Sequence, residues 1–300
     1  MKILCYGEDI SWFKQFLTAV DKIHGEAAAV TTKPDIAEEV SKYYEKVYVA
    51  DVGIFNPEVY GKFVAKVADE VNPDVFIAPC TNKGRVVTGM YSGLKGTACV
   101  SDVMDLGVEG DTLVVTRLVY GGTAKATIKV KPPVSICISP GAFKEGERTV
   151  SGQVVNVDFK VESKVKVEFK PKEVTGNEPD KADVVVVAGR GVRNKEDLNM
   201  IMELANVLHG AWSVTRPLAA DYGWTDTWIG ISGLVITPKL YIGVGVSGQP
   251  HHIIGARGSK VIVAINKDPE APIFEEADYG IVGDLYKVLP LLIKRLKGET

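Results

Sequence analysis

The chain has 300 residues, 46% hydrophobic content and a net charge of −3. It is long enough for two ordinary domains with buried cores, and it carries no basic field that would draw nucleic acid or an anionic membrane surface. Four separate cysteines (Cys5, Cys80, Cys99, Cys137), with no CxxC pair, argue against a zinc ribbon, an iron–sulfur cluster or a disulfide framework; they read as reduced, buried thiols.

The opening MKILCYGED reads as a strand closed by Gly7, because its apolar run is too short for a signal peptide. No segment approaches the run of about 18 apolar residues that crosses a bilayer, so the sequence reads as soluble and cytoplasmic. Trp12, Phe13, Phe16, Leu17 and Val20 follow at helical spacing. Ala27–Thr31, Val47–Ala50 and Val75–Ala78 read as further strands, with a polar helical run between the first two and an amphipathic helix through Val59, Phe63, Val64, Val67 and Val71 between the last two. This alternation predicts an α/β fold around a mostly parallel sheet covered on both faces. Thr81-Asn82-Lys83-Gly84-Arg85 reads as a polar helix start rather than an anion pocket.

From Thr112 the texture becomes β-rich. Leu113–Leu118, Thr123–Val130 and Val134–Ser139 read as strands, with Gly121-Gly122 as a hairpin turn. Val155–Phe169 alternates charged and apolar residues in the manner of an exposed strand. The polar segment 171–183 reads as a linker between units at 1–175 and 183–300. A second α/β unit begins at once, with Val184–Ala188 as a buried strand and a helix through Leu198, Ile201, Met202, Ala205 and Leu208. The final helix takes Asp284 as its N-cap, carries its basic residues near its end, and meets a kink or restart at Pro290.

The chemistry concentrates in 240–285. Tyr241–Val246, Val261–Ile265 and Gly280–Val282 are each followed by small or polar residues: Ser247-Gly248-Gln249, Asn266-Lys267-Asp268 and Asp284. Ligands of parallel sheets lie beyond the carboxyl ends of the strands, so these groups fall along one edge. Gly243-x-Gly245-x-Ser247-Gly248 after a strand suits either a pyrophosphate or a tight helix–strand turn. Arg190, between two glycines after the first strand, faces a phosphate or a ribose. Arg216 before Pro217 needs an anion, an aromatic face or an ion pair with Asp221. His251 and His252 lack neighbouring ligands for a metal, and Lys267 and Asp268 read as loop-forming charges. No nucleophile with its base and no carboxylate pair stands out. No acidic residue follows a strict GxGxxG at nicotinamide-dehydrogenase spacing.

Together with GRGVRNKEDL (189–198), SVTRPLAADYGW (213–224) and IGISG (229–233), the segment 240–285 resembles the α subunit of electron transfer flavoprotein, the FixB/EtfA-like family; AINKDPEAPIF (264–274) is close to a family signature. The resemblance implies an N-terminal nucleotide-hydrolase-like α/β domain with added β-strands that contacts the partner subunit, and a C-terminal Rossmann-like parallel-sheet domain that binds FAD. The implied FAD-binding residues are Arg190, Thr215, Arg216, Ile229, Gly230, Ile231, Ser232, Ser247, Gly248, Gln249, Pro250, His251, His252, Asn266, Asp284 and Leu285. Three of them would tune the flavin. Arg216 would lie against the ring, Ser232 would reach it near N5, and His252 would hydrogen-bond its pyrimidine end. The family's Ala-Ile-Gln-His stands here as Gln249-Pro250-His251-His252, its Gly-Gln-Thr as Gly230-Ile231-Ser232, and a family serine as Thr215.

The resemblance further implies a heterodimer with an electron transfer flavoprotein β subunit that holds AMP or a second FAD. The chain would then be an electron carrier rather than a stand-alone enzyme. It would join a donor dehydrogenase, or NADH in a bifurcating complex, to a quinone reductase or similar acceptor. Any membrane contact would be peripheral and made through that acceptor, with neither nucleic acid nor metal involved. The alternative is a non-redox FAD- or NAD-binding structural subunit of a larger oxidoreductase.

Overall fold

The structure is a computed structural model that describes residues 1–120, 122, 124–170 and 177–298. The chain forms two compact units, Met1–Pro171 and Lys172–Thr300.

The first unit begins with strands β1 (Lys2–Tyr6), β2 (Glu26–Thr31), β3 (Lys46–Val49) and β4 (Val75–Pro79). Helices α1 (Ile10–Lys22), α2 (Pro34–Val40), α3 (Pro57–Val71) and α4 (Asn82–Lys95) alternate with them. Strands β5 (Ala98–Glu109), β6 (Thr112–Val119), β7 (Ala124–Val130), β8 (Val134–Ile138) and β9 (Gln153–Asn156) complete one sheet in the order β7-β6-β5-β8-β4-β1-β2-β3-β9. All pairings are parallel except β5–β6 and β6–β7. Side chains of successive strand residues point to opposite faces, and the two cores follow that rule. Ile3 and Cys5 pack with Phe13, Phe16, Leu17 and Val20 of α1. Leu4 and Tyr6 pack with Phe63, Val64 and Val67 of α3 and with Val87 and Tyr91 of α4. Side-chain caps start the helices where the sequence changes from strand to helix: Asp9 accepts from the Ser11 N–H at 2.8 Å, and Thr81 from the Gly84 N–H at 3.1 Å. The polar run at 81–85 is thus a helix start.

Two expectations change here. Of the alternating stretch 155–169 only Val155 and Asn156 pair as a strand, at the end of β9 alongside β3, and no further strand runs through 157–170. Alternation records which side chains face water, not whether the backbone has a pairing partner. The cysteines also differ: Cys5, Cys80 and Cys137 are buried, but Cys99 is exposed. The antiparallel β6–β7 pair forms the expected hairpin. Gly121 of its turn, Thr123 at the start of the expected strand, and 171–176 of the expected linker lie outside the described residues.

The second unit is a five-stranded, wholly parallel sheet: β10 (Val184–Ala188), β11 (Ala211–Val214), β12 (Leu240–Val244), β13 (Val261–Asn266) and β14 (Tyr279–Val282), in the order β11-β10-β12-β13-β14. Val186, Ala188, Ile242 and Val244 face α5 (Leu198–Val207) and α8 (Leu285–Leu296). Val185, Val187, Tyr241 and Ala264 face α6 (Pro250–Ile253), α7 (Ile273–Glu276) and the loop around Ile229. Pro290 neither breaks nor restarts α8, which runs continuously past it. After β10 the chain adds β11 on one side and then crosses to add β12 on the other. The loops leaving β10 and β12 therefore diverge, and a crevice opens between them at the carboxyl edge. Among the described residues, no helix is long and apolar enough to cross a membrane.

Candidate cofactor cleft

A cleft of about 950 Å³ occupies that crevice, at the upper end of the size range for small-molecule sites. The loop after each strand of the sheet contributes to it: Gly189–Gly191 after β10, Thr215–Pro217 after β11, Gly245–Ser247 after β12, Asn266–Asp268 after β13 and Gly283–Leu285 after β14.

The two central loops touch through backbone. Gly191 N–H donates to the Gly245 carbonyl at 3.0 Å. Gly245 has φ +62, and a Cβ on Gly191 would lie 2.7 Å from the Gly245 Cα. Side chains are excluded on both sides, which keeps main chain at the floor of the crevice. Of the two readings open from its spacing, the glycine-rich run shows the tight turn. It also exposes backbone to the cleft. The helix that follows is only one turn, Pro250–Ile253.

Of the residues expected at a cofactor, all line the cleft except Ile231, Gly248 and Pro250. Ile231 points to solvent with 48% exposure. Gly248 is buried where a Cβ would meet the Ile273 N–H nitrogen at 2.2 Å, so its role is packing. Pro250 occupies the first position of α6. Lys267 and Asp268, expected only to shape a loop, line the cleft as well.

The cleft is rich in uncommitted positive charge. Arg190, Arg216 and Lys267 line it with no ion-pair partner among the described residues. Arg216 and Asp221 both face the cleft without bonding to each other, which removes the salt-bridge alternative. Arg216 precedes a single π-helical turn, Pro217–Asp221, with Pro217 at its first position. Thr215 is buried beside it.

Other polar residues are already partly engaged. The Asn266 side-chain amide donates to the Val246 carbonyl at 2.8 Å, and its oxygen accepts from the Asp268 N–H at 3.0 Å, tying the β12 and β13 loops together. One carboxylate oxygen of Asp284 accepts from the Tyr286 N–H at 3.0 Å, capping α8. The Ser232 hydroxyl accepts from the Trp228 indole N–H at 3.4 Å.

His252 is buried, with Nδ1 3.0 Å from the Ile229 carbonyl and Nε2 2.7 Å from the Tyr241 hydroxyl. Burial lowers its pKa to about 4, against the opposing effect of the Ile229 carbonyl. The ring at the cleft wall is therefore neutral.

Arg193, Trp228 and Tyr286 also line the cleft and escaped the sequence reading. The Arg193 guanidinium lies 5.1 Å from the centre of the Tyr286 ring, and the Arg193 N–H donates to the Tyr286 hydroxyl at 2.8 Å. That hydroxyl donates to Asp197 at 2.6 Å; burial, and then the Asp197 carboxylate, raise its pKa. The available signal was proximity: Arg193 follows Arg190 in the same loop, and Tyr286 follows the cap residue Asp284.

Uncommitted cations around exposed backbone at the crossover of a parallel sheet suit a dianionic pyrophosphate between two flat groups. Comparison with known proteins agrees. The electron transfer flavoprotein FAD-binding domain matches residues 179–257, and the electron transfer flavoprotein domain matches residues 15–162. The chain belongs to the electron transfer flavoprotein α subunit family. The electron transfer flavoprotein subunit alpha of Bacillus subtilis (strain 168) is 37% identical over 272 residues, covering 87% of this chain and 84% of that one. That of Megasphaera elsdenii is 35% identical, covering 93% and 88%. Protein FixB of Azotobacter vinelandii is 32% identical, covering 94% and 84%. Electron transfer flavoprotein α subunits carry FAD and work with a β subunit. The matched FAD-binding segment holds β10, β11, β12 and α6. The cleft's donor set fits that cofactor.

Proposed function

We propose that this chain is the FAD-binding subunit of a heterodimeric electron carrier, taking electrons from a dehydrogenase, or from NADH in a bifurcating complex, and passing them to a quinone reductase or similar acceptor. The bound flavin supplies the chemistry by accepting an electron pair and releasing electrons singly. The residues of this chain bind, orient and bias it. Arg190 and Lys267, with the backbone at Gly191 and Gly245, hold the pyrophosphate. Asp284 and Asn266 serve the adenosine half. Arg216, Ser232 and the Ile229–Gly230 turn border the flavin. The β subunit covers the cleft and carries AMP or a second FAD, and the N-terminal unit supports it.

The observation that carries this proposal is Arg216, a cation at the cleft with no ionic partner among the described residues. A fixed positive charge favours the electron-rich form of a flavin beside it and raises its potential. Redox titration of the heterodimer, wild type against Arg216→Ala, tests the role. We expect the variant to keep most of its FAD and to lose roughly 40 mV of midpoint potential, equivalent to about 1 kcal/mol for one electron. An unchanged potential would favour a structural cofactor.

A further inference from the structure

The resemblance to the family assigns His252 a hydrogen bond to the flavin, yet both of its ring nitrogens are already used inside the protein. Nδ1 lies 3.0 Å from the Ile229 carbonyl oxygen. A carbonyl only accepts, so Nδ1 carries the ring proton. Nε2 lies 2.7 Å from the hydroxyl of Tyr241. Tyr241 is wholly buried, and burial pushes its pKa up, so its hydroxyl keeps its proton and donates. The donor order is fixed along the whole line: Tyr241 O–H to Nε2, and Nδ1–H to the Ile229 carbonyl. No N–H remains for a ligand, although the ring borders the cleft.

We infer that Tyr241 is a positioning residue: its hydroxyl sets the tautomer of His252, and His252 in turn fastens the Ile229–Ser232 loop that borders the flavin site. The three groups come from separate places, β12, α6 and the loop before β12, so the line works as a bolt across the wall of the cleft. A second bond runs beside it, from the Ile231 N–H to the His251 carbonyl at 2.8 Å. Gly255 packs against the same turn, where a Cβ would meet the Gly230 nitrogen at 2.4 Å. The loop so held presents Gly230 and Ser232 to the cleft. His252 therefore influences the cofactor through the placement of this loop. The charge that biases the flavin comes from Arg216. This rests on the FAD-carrier reading of the cleft.

The first test is ¹⁵N-histidine NMR on the heterodimer at neutral pH, with and without FAD. We expect His252 as a single neutral tautomer, protonated at Nδ1 and bare at Nε2, in both states. A proton on Nε2, in that tautomer or in an imidazolium, would overturn the inference. This readout needs no variant and no bound flavin. A heterodimer that takes up no FAD would sink the carrier reading, while the tautomer would still decide the bolt.

The second test is a cycle of Tyr241→Phe, His252→Leu and the double variant, read by FAD dissociation constant and midpoint potential. Losing one buried hydrogen bond should weaken FAD binding by about three- to tenfold. Tyr241→Phe should also displace the potential in the same direction as His252→Leu, and the double variant should fall short of the sum. If Tyr241→Phe matches wild type in both readouts while His252→Leu does not, His252 contacts the cofactor directly and the inference fails.

Discussion

At His252, burial outweighs the hydrogen bond to the Ile229 carbonyl and disfavours the positive form, which makes this side chain a liability in acid. The imidazole ordinarily titrates near 6.5 and here near 4. Above pH 6.5 the folded and unfolded states are both neutral, and the full stability is present. Between pH 6.5 and 4 the unfolded chain takes up a proton that the folded one refuses, so stability falls as pH falls. Below 4 both states are protonated and the loss is complete. The whole drop is on the order of 3 kcal/mol. Urea unfolding followed by tryptophan fluorescence at pH 7, 6 and 5 should show this loss in wild type, and His252→Asn should lack that part of the slope. Matching slopes would mean that the ring is protonated in the fold. The sequence alone marked His252 by its place in a motif. It could not report the neutral state, because burial imposes it, and groups that enclose the ring, Tyr241 and the Ile229 carbonyl, lie 11 and 23 residues away.

Among the elements, those whose partners are near in the chain, or whose faces are both buried, were the legible ones. The parallel strands β1–β4, β10, β12 and β13 are largely apolar runs bounded by glycine, proline or polar residues, and periodicity found α1, α3 and α5. β5 was missed because its polar residues interrupt the run: Asp102 sits at φ +59 where the register to β8 shifts, and Asp105 faces a second irregularity against β6. A bulge of this kind breaks the period of two that marks a strand. Asp284 shows how one residue can answer two readings. Its cap bond uses one carboxylate oxygen, while the residue also lines the cleft. Asn caps helices about as well as Asp, whereas Ala costs about 1 kcal/mol. Asp284→Ala should therefore lower the unfolding free energy by about that amount and Asp284→Asn should not, as measured by urea melts. Isothermal titration with FAD should then separate the roles. Equal affinity for wild type and Asp284→Asn would confine Asp284 to the cap, and weaker binding by Asp284→Asn would give its charge a part in the site.

For the whole molecule, the order of strands in each sheet was the part the sequence left open, since pairing joins segments far apart in the chain. Only the crossover between β10 and β12 turned five separate polar loops into one cleft. Its surroundings bear on partnership. Tyr222, Ile231 and Val235, from the segments around the cleft-lining residues Asp221, Gly230 and Ser232, are 57%, 48% and 37% exposed. Apolar side chains at the margin of a polar site are those a second subunit would cover. A flavin bound in the isolated chain would have water where the β subunit should lie, and its hydrogen bonds would compete with solvent. FAD should therefore bind the chain alone at least about tenfold more weakly than the co-expressed heterodimer, a difference of about 1.4 kcal/mol. Flavin fluorescence titration of the two preparations measures it directly. Equal affinity would show that this chain completes the site by itself, and the β subunit's part would then lie in electron exchange rather than in holding the cofactor.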